Sequence, residues 1–300
     1  MQFPNVPDVP PAQRTSGAMF LRYEDVSQEG RVMLTALPQA VGLVVWRKLI
    51  SDHPITKTAR DRDGIIPILT RFVIEGGGGP VSVMRPLEAD GQYQLAHTVD
   101  SAGEVNRLIM NIAVSVHGTV ARTNGPPPEN HGQRVFVGRV LAEHVFTRLF
   151  APPDQRKVLA FAIDGHPPVP PARVDWTAPR DNLTLPDGAE PLDDAPSPDE
   201  VSIAFGLSHT DANQHVNSHM YPRLFEEASL RRLDKLGLST KVLSRFVSVS
   251  YRKPCFAGDR MRFVLQAFRH GDRLGTAGYL VPDGERDARP HTFLQMHFAE

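Results

Sequence analysis

Apolar and polar residues follow two different periods over the last third of the chain. Residues 200–208 alternate singly, which predicts a strand, and a helix is predicted from about Ser218 to Leu236, where apolar residues recur at helical spacing. Pro222 fits a helix only in its first turn, and Gly237 is typical of a helix end. Single alternation returns in four further segments: 244–252, 259–268, 273–281 and 291–298. This order predicts an α+β unit in which the helix covers an antiparallel sheet.

The same pattern occurs earlier in the chain. Ala36–Leu49 aligns without a gap with Met220–Leu233, which begins 184 positions later. Ile68–Pro80 aligns with Val242–Pro254, which begins 174 positions later. We place the ten extra residues of the first copy in a loop at 52–64, because insertions cost least in loops. The sequence therefore predicts one supersecondary unit used twice.

Proline-rich segments indicate where the chain divides. His166–Glu200 is dense in Pro and Asp and has no helical or strand period, so it is typical of an extended connector. Asn124–Asn130 is a shorter break. The segments 134–150 and 157–164 between the breaks are predicted to be strands or a short helix, with no assigned place in the fold. The predicted parts are a first unit at 1–123, a connecting segment at 124–198 and a second unit at 199–300.

A polar cluster precedes the second predicted helix. In "TDANQHVNSHMY" four hydrogen-bonding side chains stand at every second position, namely Asp211, Asn213, His215 and Asn217. This segment is similar to the D-x-N-x-H-V-N-N-x-x-Y signature of acyl-ACP thioesterases, and "VSVSYRKPC" is similar to their later L-E-Y-R-R-E-C segment. "MYPRLFEEAS" also resembles the helix of the 4-hydroxybenzoyl-CoA thioesterase group.

The resemblance implies a double hotdog fold, in which two antiparallel sheets are each wrapped around a long central helix. It implies hydrolysis of an acyl thioester, carried by acyl carrier protein (ACP) or by CoA, in fatty acid or polyketide metabolism. No cofactor and no metal is expected. A homodimer of double hotdogs is one assembly that the resemblance allows.

Thioester hydrolysis gives the polar cluster a chemical reason. A helix N-terminus carries roughly half a positive charge, so it can polarise a thioester carbonyl and stabilise the oxyanion. Asp211 is the candidate base or nucleophile. By the resemblance, Asn213 orients the water or the thioester and His215 hydrogen-bonds within the cluster. Asn217 is a candidate helix cap as well as a site residue, and a purely structural capping loop stays an alternative.

Further site residues follow from the same motifs. The candidates for substrate binding are Ser218, His219, Tyr221, Arg252 and Lys253. Cys255 keeps the place of the family's cysteine, whereas Pro254 replaces the acidic residue before it. Cys255 is therefore either catalytic or site-lining, and a buried apolar role is the alternative.

The repeat places four different residues opposite the polar cluster in the first copy. They are Ser27, Glu29, Arg31 and Met33, opposite Asp211, Asn213, His215 and Asn217. The first copy thus offers no matching carboxylate, amide and imidazole. We predict a degenerate site there and a catalytic site in the second copy.

Two other functions stay open. A hotdog protein could bind acyl thioesters without cleaving them. Asp211 to His215 also spells the D-x-x-x-H of double-hotdog dehydratases or hydratases, but their first copy needs a histidine and none precedes Pro38. His215 and His219 lack the glutamate and third ligand of a zinc site, and no G-x-S-x-G motif indicates a serine hydrolase.

Composition limits the partners. Hydrophobic content of 41% and a formal charge of -1 are typical of a soluble globular chain with no general affinity for nucleic acid or membranes. No apolar run approaches the roughly 20 residues that a membrane span needs. The single cysteine and the absence of a signal-like start predict the cytoplasm. Basic residues concentrate between 221 and 262, where a carrier protein or CoA phosphates could bind, and an ordinary solvated face is the alternative. The patch includes Arg231, Arg232, Lys235, Arg252, Lys253, Arg260 and Arg262.

Overall fold

Alternating segments of the sequence form long antiparallel strands in both halves of the protein. The computed structural model describes residues 2–285 and 288–299. The chain divides into a first unit, Phe3–Thr177, and a second unit, Ala178–Glu300 together with Met1–Gln2. Each unit has its own strands and helices.

The first unit, described throughout, contains six strands. They are β1 (Arg14–Met19), β2 (Ile66–Gly76), β3 (Leu87–Val99), β4 (Val105–Thr119), β5 (Arg134–Thr147) and β6 (Ala172–Arg173). The order is β1-β3-β4-β5-β2 with antiparallel neighbours, and β6 lies parallel beside β3. The helical segments are a π-helix at Val41–Ile50, α1 at Pro54–Asp63 and 3-10 turns at Pro11–Gln13, Tyr23–Asp25, Leu34–Ala36 and Pro153–Gln155.

The described part of the second unit has the same strand order. Its strands are β7 (Glu190–Pro191), β8 (Ser197–Pro198), β9 (Ile203–Ala204), β10 (Leu243–Tyr251), β11 (Arg260–His270), β12 (Arg273–Pro282) and β13 (Thr292–Ala299). They run β10-β13-β12-β11, with β7, β8 and β9 along the far edge of β11. Its helical segments are α2 at Met220–Lys235 and 3-10 turns at Pro179–Leu183 and Leu207–His209. Because β3, β4, β5 and β2 hold the places of β11, β12, β13 and β10, the predicted repeat is confirmed.

Helix α2 packs its apolar face on β10, β11 and β13. The buried ring of Phe225 lies against Phe263 of β11, with centroids 5.2 Å apart. The hydroxyl of Ser229 donates to the Phe225 carbonyl oxygen and lies 2.7 Å from Thr276 Oγ1, so this buried polar group is satisfied. The predicted helix is confirmed, and Gly237 follows its end with φ of 70°. No helix in the part of the chain that the structure describes could cross a bilayer.

The helical region of the first unit is interrupted, which differs from the predicted long central helix. The π-helix ends at Ile50, and Pro54 begins a new helix, since proline lacks the N–H that a continuing helix needs. The prediction of a loop at 52–64 is wrong. His53 Nδ1 accepts the Ile55 N–H at 3.2 Å to cap α1, and Gly64 closes it with φ of 63°.

The first unit also extends past the predicted boundary at residue 123. Segment 134–147, which had no predicted place, is β5 and pairs with both β2 and β4. Glu143 and His144 are adjacent, polar and both buried in this strand. The sequence here therefore lacks the single alternation of apolar and polar residues that is typical of a strand. In the second unit only Ile203–Ala204 of the predicted strand 200–208 pairs with β11. The separation of the strands into two sheets stays a prediction.

Candidate active site

The predicted polar cluster forms a tight loop, Thr210–Asn217, which we call the site loop. An isolated antiparallel bridge closes its two ends. Within it the Asp211 N–H donates to the His215 carbonyl oxygen at 3.1 Å, and the Gln214 N–H donates to the Asp211 carbonyl oxygen at 2.9 Å. Gln214 has φ of 64°, in the left-handed region that residues with a Cβ rarely adopt. This closure brings Asp211 back to the residues that lead into α2.

The carboxylate of Asp211 is held by one donor on each oxygen. Oδ1 accepts the Asn213 N–H at 2.8 Å, and Oδ2 accepts Asn217 Nδ2 at 3.2 Å. Asn217 Oδ1 in turn accepts the His219 N–H at 2.9 Å, one residue before α2 begins. Asp211 is half-buried. The carboxylate is thus oriented at the approach to the helix N-terminus and keeps lone pairs for a further partner.

The two histidines of the cluster are in different environments. His215 Nδ1 lies 3.2 Å from the Val216 carbonyl oxygen, which can only accept, so Nδ1 is the donor in this contact. Burial lowers the pKa of His219, and the negative charge of Asp211 opposes that shift. His219 is therefore predominantly neutral near pH 7.

Two tyrosines brace the backbone behind the site loop. The Tyr251 hydroxyl donates to the Ser218 carbonyl oxygen at 2.8 Å, and the Tyr221 hydroxyl accepts the Cys255 N–H at 3.0 Å. Their ring centroids are 5.5 Å apart, edge to face. Burial raises the pKa of both phenols, so both keep their protons. Tyr221, predicted to bind substrate, is buried and its hydroxyl makes a structural contact.

Cys255 is a buried thiol. Its side chain has no solvent exposure, and Sγ lies 3.2 Å from Nδ1 of His291. Burial raises the pKa of Cys255 to about 11, whereas a nucleophilic cysteine needs a lowered pKa. Burial, together with the charge of Lys253, lowers the pKa of His291, so this histidine does not supply the cation that would stabilise a thiolate. These observations support the alternative of a buried packing role for Cys255.

The predicted basic patch is partly neutralised. Its three paired arginines bind acidic residues: Arg231 with Asp199, Arg232 with Asp193, and Arg262 with Asp283. Two of these carboxylates come from the proline-rich segment, whose fold the sequence did not predict. Arg252 and Lys253, which precede Cys255 in the chain, are exposed, and so are Lys235 and Arg260. The basic surface is therefore smaller than the sequence indicates.

The first unit builds the same loop with different side chains. Its contacts are a Val26–Val32 bridge, Ser27 N–H to Arg31 O at 2.8 Å, Gly30 N–H to Ser27 O at 2.9 Å and Met33 N–H to Asp25 O at 2.9 Å. Each matches a contact of the site loop 184 positions later, including Asn217 N–H to His209 O at 2.9 Å. The register of the repeat is thus confirmed atom by atom, and the first loop lacks the side chains of the second.

The sequence missed three residues that shape the site. Tyr251 and His291 lie at the ends of predicted strands, and only the fold brings them to Ser218 and Cys255. His209 Nδ1 accepts the Gly206 N–H at 2.9 Å and thereby fixes the turn before the site loop. The repeat contains a signal for His209, because Asp25 makes the matching contact with the Arg22 N–H at 2.8 Å in the first unit.

No family model and no curated protein matches the sequence. Several solved structures have a similar fold. An acyl-ACP thioesterase from Bacteroides thetaiotaomicron superposes with a TM-score of 0.57 at 14% identity, covering 95% of this chain and 98% of that one. The 12:0-ACP thioesterase from Umbellularia californica superposes with a TM-score of 0.54 at 13% identity, covering 95% and 94%. The chain therefore has a hotdog fold. In particular, its fold is that of the acyl-ACP thioesterases, as the sequence motifs predicted.

Proposed function

We propose that this protein is a thioesterase that hydrolyses an acyl thioester, carried by ACP or CoA, to a free acid and a thiol. The observation that carries the proposal is the Asp211 carboxylate, which Asn213 and Asn217 hold at the approach to α2. The first unit repeats the loop backbone without the carboxylate. The loop of the first unit adopts the same backbone without Asp211, Asn213 and Asn217, so these side chains are not required for the loop to fold. Their presence in the second loop therefore supports a chemical role.

The proposed reaction uses Asp211 as general base. One carboxylate oxygen takes a proton from water while the water oxygen attacks the thioester carbonyl carbon. Negative charge develops on the carbonyl oxygen and is stabilised by the N-terminus of α2. The C–S bond then breaks, and the proton on Asp211 passes to the departing thiolate. The net reaction consumes one water and leaves Asp211 unchanged.

The neighbouring residues have supporting roles in this proposal. The Asn217 side chain orients the carboxylate, and the backbone N–H of Asn213 holds its other oxygen. The exposed Asn213 side chain orients water or the thioester, and His215 hydrogen-bonds within the site. The segment Ser218–His219 faces the thioester, while Arg252 and Lys253 attract the charged carrier.

The decisive experiment is the substitution Asp211→Asn. A general base contributes roughly 10²- to 10⁴-fold, so kcat should fall by that factor with little change in KM. The fold should persist, because asparagine keeps an oxygen that can accept the Asn213 N–H. Ser27→Ala, at the matching position of the first unit, is the control and should leave kcat unchanged. Activity of Asp211→Asn within a few-fold of wild type would place the base elsewhere.

A panel of acyl-CoA and acyl-ACP substrates distinguishes the alternatives. Release of free thiol from any member supports hydrolysis and identifies the carrier. Saturable binding of acyl thioesters with no thiol release would favour a binding protein. Loss or gain of water across a C–C bond, with the thioester intact, would favour a dehydratase or hydratase.

A further inference from the structure

A row of polar side chains crosses the sheet of the first unit. Its members, in register on β3, β4, β5 and β2, are Gln94, Asn111, Glu143 and Arg71. Cross-strand partners share a face of a sheet, so all four side chains lie on one side. That side faces away from the π-helix, because the adjacent His144 points to the other face and contacts Trp46 of this helix, with centroids 5.6 Å apart.

Two segments cross over this row and enclose a cavity. Pro4–Pro7 is fixed by Gln92 Nε2, which donates to the Pro7 carbonyl oxygen at 2.6 Å. Arg173–Thr177 is fixed by Arg71 Nη1, which donates to Thr177 Oγ1 at 2.7 Å. The cavity between these segments and the sheet has a volume of about 290 Å³. This is at the small end of the range of ligand sites, which begins at roughly 300 Å³.

The floor of the cavity carries unused hydrogen-bonding capacity. Gln94 Oε1 and Asn111 Oδ1 are buried and accept no hydrogen bond from the residues that the structure describes. Such groups cost stability unless a partner reaches them. Between them and Arg71 lies Glu143, only 6% exposed, whose Oε1 accepts Thr70 Oγ1 at 3.0 Å. The cavity therefore suits a ligand with several hydrogen-bond donors.

The charges and shape of the cavity narrow the ligand class. Two arginines, Arg71 and Arg173, line it together with two carboxylates, Glu143 and Asp175, so neither sign is in excess. No aromatic ring is among the described residues that line it, so a flat base would have no stacking surface. These features favour a neutral ligand that is rich in hydroxyl groups, because a hydroxyl can both donate and accept hydrogen bonds.

We propose that this cavity binds a small neutral polyol of about monosaccharide size. Its hydroxyl groups donate to the amide oxygens of Gln94 and Asn111 and accept from the amide nitrogens. A larger cavity of about 570 Å³ lies on the same face and shares Val6, Gln92 and Ala113 with the smaller one. This site lies in the first unit and does not depend on the proposed thioesterase activity.

The test is calorimetric titration of the full chain with D-glucose and with myo-inositol. At least one should give a saturable heat. A tenfold excess of this polyol over its Kd should raise Tm by about 2–4 °C. Putrescine, citrate and adenine serve as cationic, anionic and flat aromatic comparisons and should give no saturable heat. Binding of one of these three, with no polyol bound, would overturn the proposal.

Matched variants separate a site from a general solvent effect. Asn111→Leu removes an amide at similar volume and should abolish the saturable heat, and Gln94→Leu is the second variant should the first fail to fold. Ser115→Ala, four residues from Asn111 along β4 and on the same face, lines only the larger cavity and should keep the heat. Polyols also stabilise proteins by exclusion from their surface. Equal Tm shifts in all variants without saturable heat would show exclusion alone and overturn the proposal.

Discussion

Gln214 and Gly30 hold the same position in two loops of the same backbone shape, with φ of 64° and 77°. In both loops the N–H of this residue donates to the carbonyl oxygen three residues earlier at 2.9 Å. The left-handed conformation costs a residue with a Cβ about 1–2 kcal/mol, and glycine avoids this cost. The site loop therefore keeps a strained residue where its counterpart has glycine.

We expect Gln214→Gly to raise the free energy of unfolding by up to about 1 kcal/mol. Relief of the left-handed strain should exceed the entropy that glycine adds to the unfolded chain. Urea denaturation measures the change as a shift in the transition midpoint. A lower midpoint would show that the Gln214 side chain makes stabilising contacts that outweigh the strain.

The opposite substitution in the first unit is the control. A Cβ at Gly30 would collide with Pro80 Cβ and would lie 2.7 Å from Thr123 Cγ2. Gly30→Ala should therefore destabilise the protein by more than 1 kcal/mol, since overpacking adds to the strain of positive φ. An unchanged midpoint would contradict the close packing of this loop.

Asn217→Asp should separate the two contacts of this side chain. The new carboxylate can still accept the His219 N–H, so the start of α2 should persist. It loses the donor to Asp211 and adds a like charge beside it, so the Asp211 carboxylate is no longer held in place. We expect kcat/KM to fall by about tenfold or more, a loss of roughly 1.4 kcal/mol in transition-state stabilisation that steady-state kinetics measure.

Asn217→Ala provides the comparison, because it removes both contacts. Stability should fall by about 0.5–2 kcal/mol, as for other lost helix caps, and activity should fall across the whole pH range. Equal kcat/KM for wild type and Asn217→Asp would show that the contact of Asn217 with Asp211 does not contribute to catalysis.

Cys255→Ser should keep at least 10% of the thioesterase activity, a loss of about 1.4 kcal/mol at most in transition-state stabilisation. The thiol is buried with its pKa raised to about 11, so it is a poor nucleophile. Steady-state kinetics measure the effect, and iodoacetamide should label Cys255 far faster in the unfolded protein than in the folded one. An acyl adduct on Cys255, or a loss beyond a hundredfold, would assign it the nucleophilic role.

Stability should decrease in mild acid because of two buried histidines. Burial lowers the pKa of His144 and of His297 to about 4, from an ordinary value of 6.5. Between these values the unfolded chain binds more protons than the folded one, so the free energy of unfolding falls as pH falls from about 6.5 to 4. The loss is at most roughly 3 kcal/mol for each histidine. Urea midpoints at pH 7.5 and 4.5 measure it.

His144→Phe tests the assignment at similar volume. The variant should lose less stability than wild type between pH 7.5 and 4.5, because its part of the proton uptake is absent. His131→Phe, at an exposed position, is the matched control. An equal loss in wild type and His144→Phe would attribute the acid sensitivity to other groups.

Local patterns were sufficient for much of the fold. The period of apolar residues determined α2 and the strands β10 to β13, because each period reflects one buried face. The repeat went further, since two copies of one unit must share backbone contacts. It correctly paired Asp211 with Ser27, and it indicated that only the second copy has a carboxylate at this position of the loop.

Contacts between distant segments were decided only by the tertiary structure. The sequence showed neither that Arg231 pairs with Asp199 nor that Arg232 pairs with Asp193, because these carboxylates lie in a segment without any period. The place of strand β5 was not predicted for a related reason. Its buried polar residues, Glu143 and His144, are tolerated only where neighbouring strands and covering segments surround them.

The same distinction between local sequence and tertiary structure applies to the chemistry of single side chains. The sequence by itself determined the residue types of the site loop and their place before a helix, because alternation and proximity to α2 are local. Only the tertiary structure decided that Cys255 is buried against His291 and that Asn217 holds Asp211. Burial and hydrogen bonding set a pKa, and both depend on atoms that the fold brings from elsewhere in the chain.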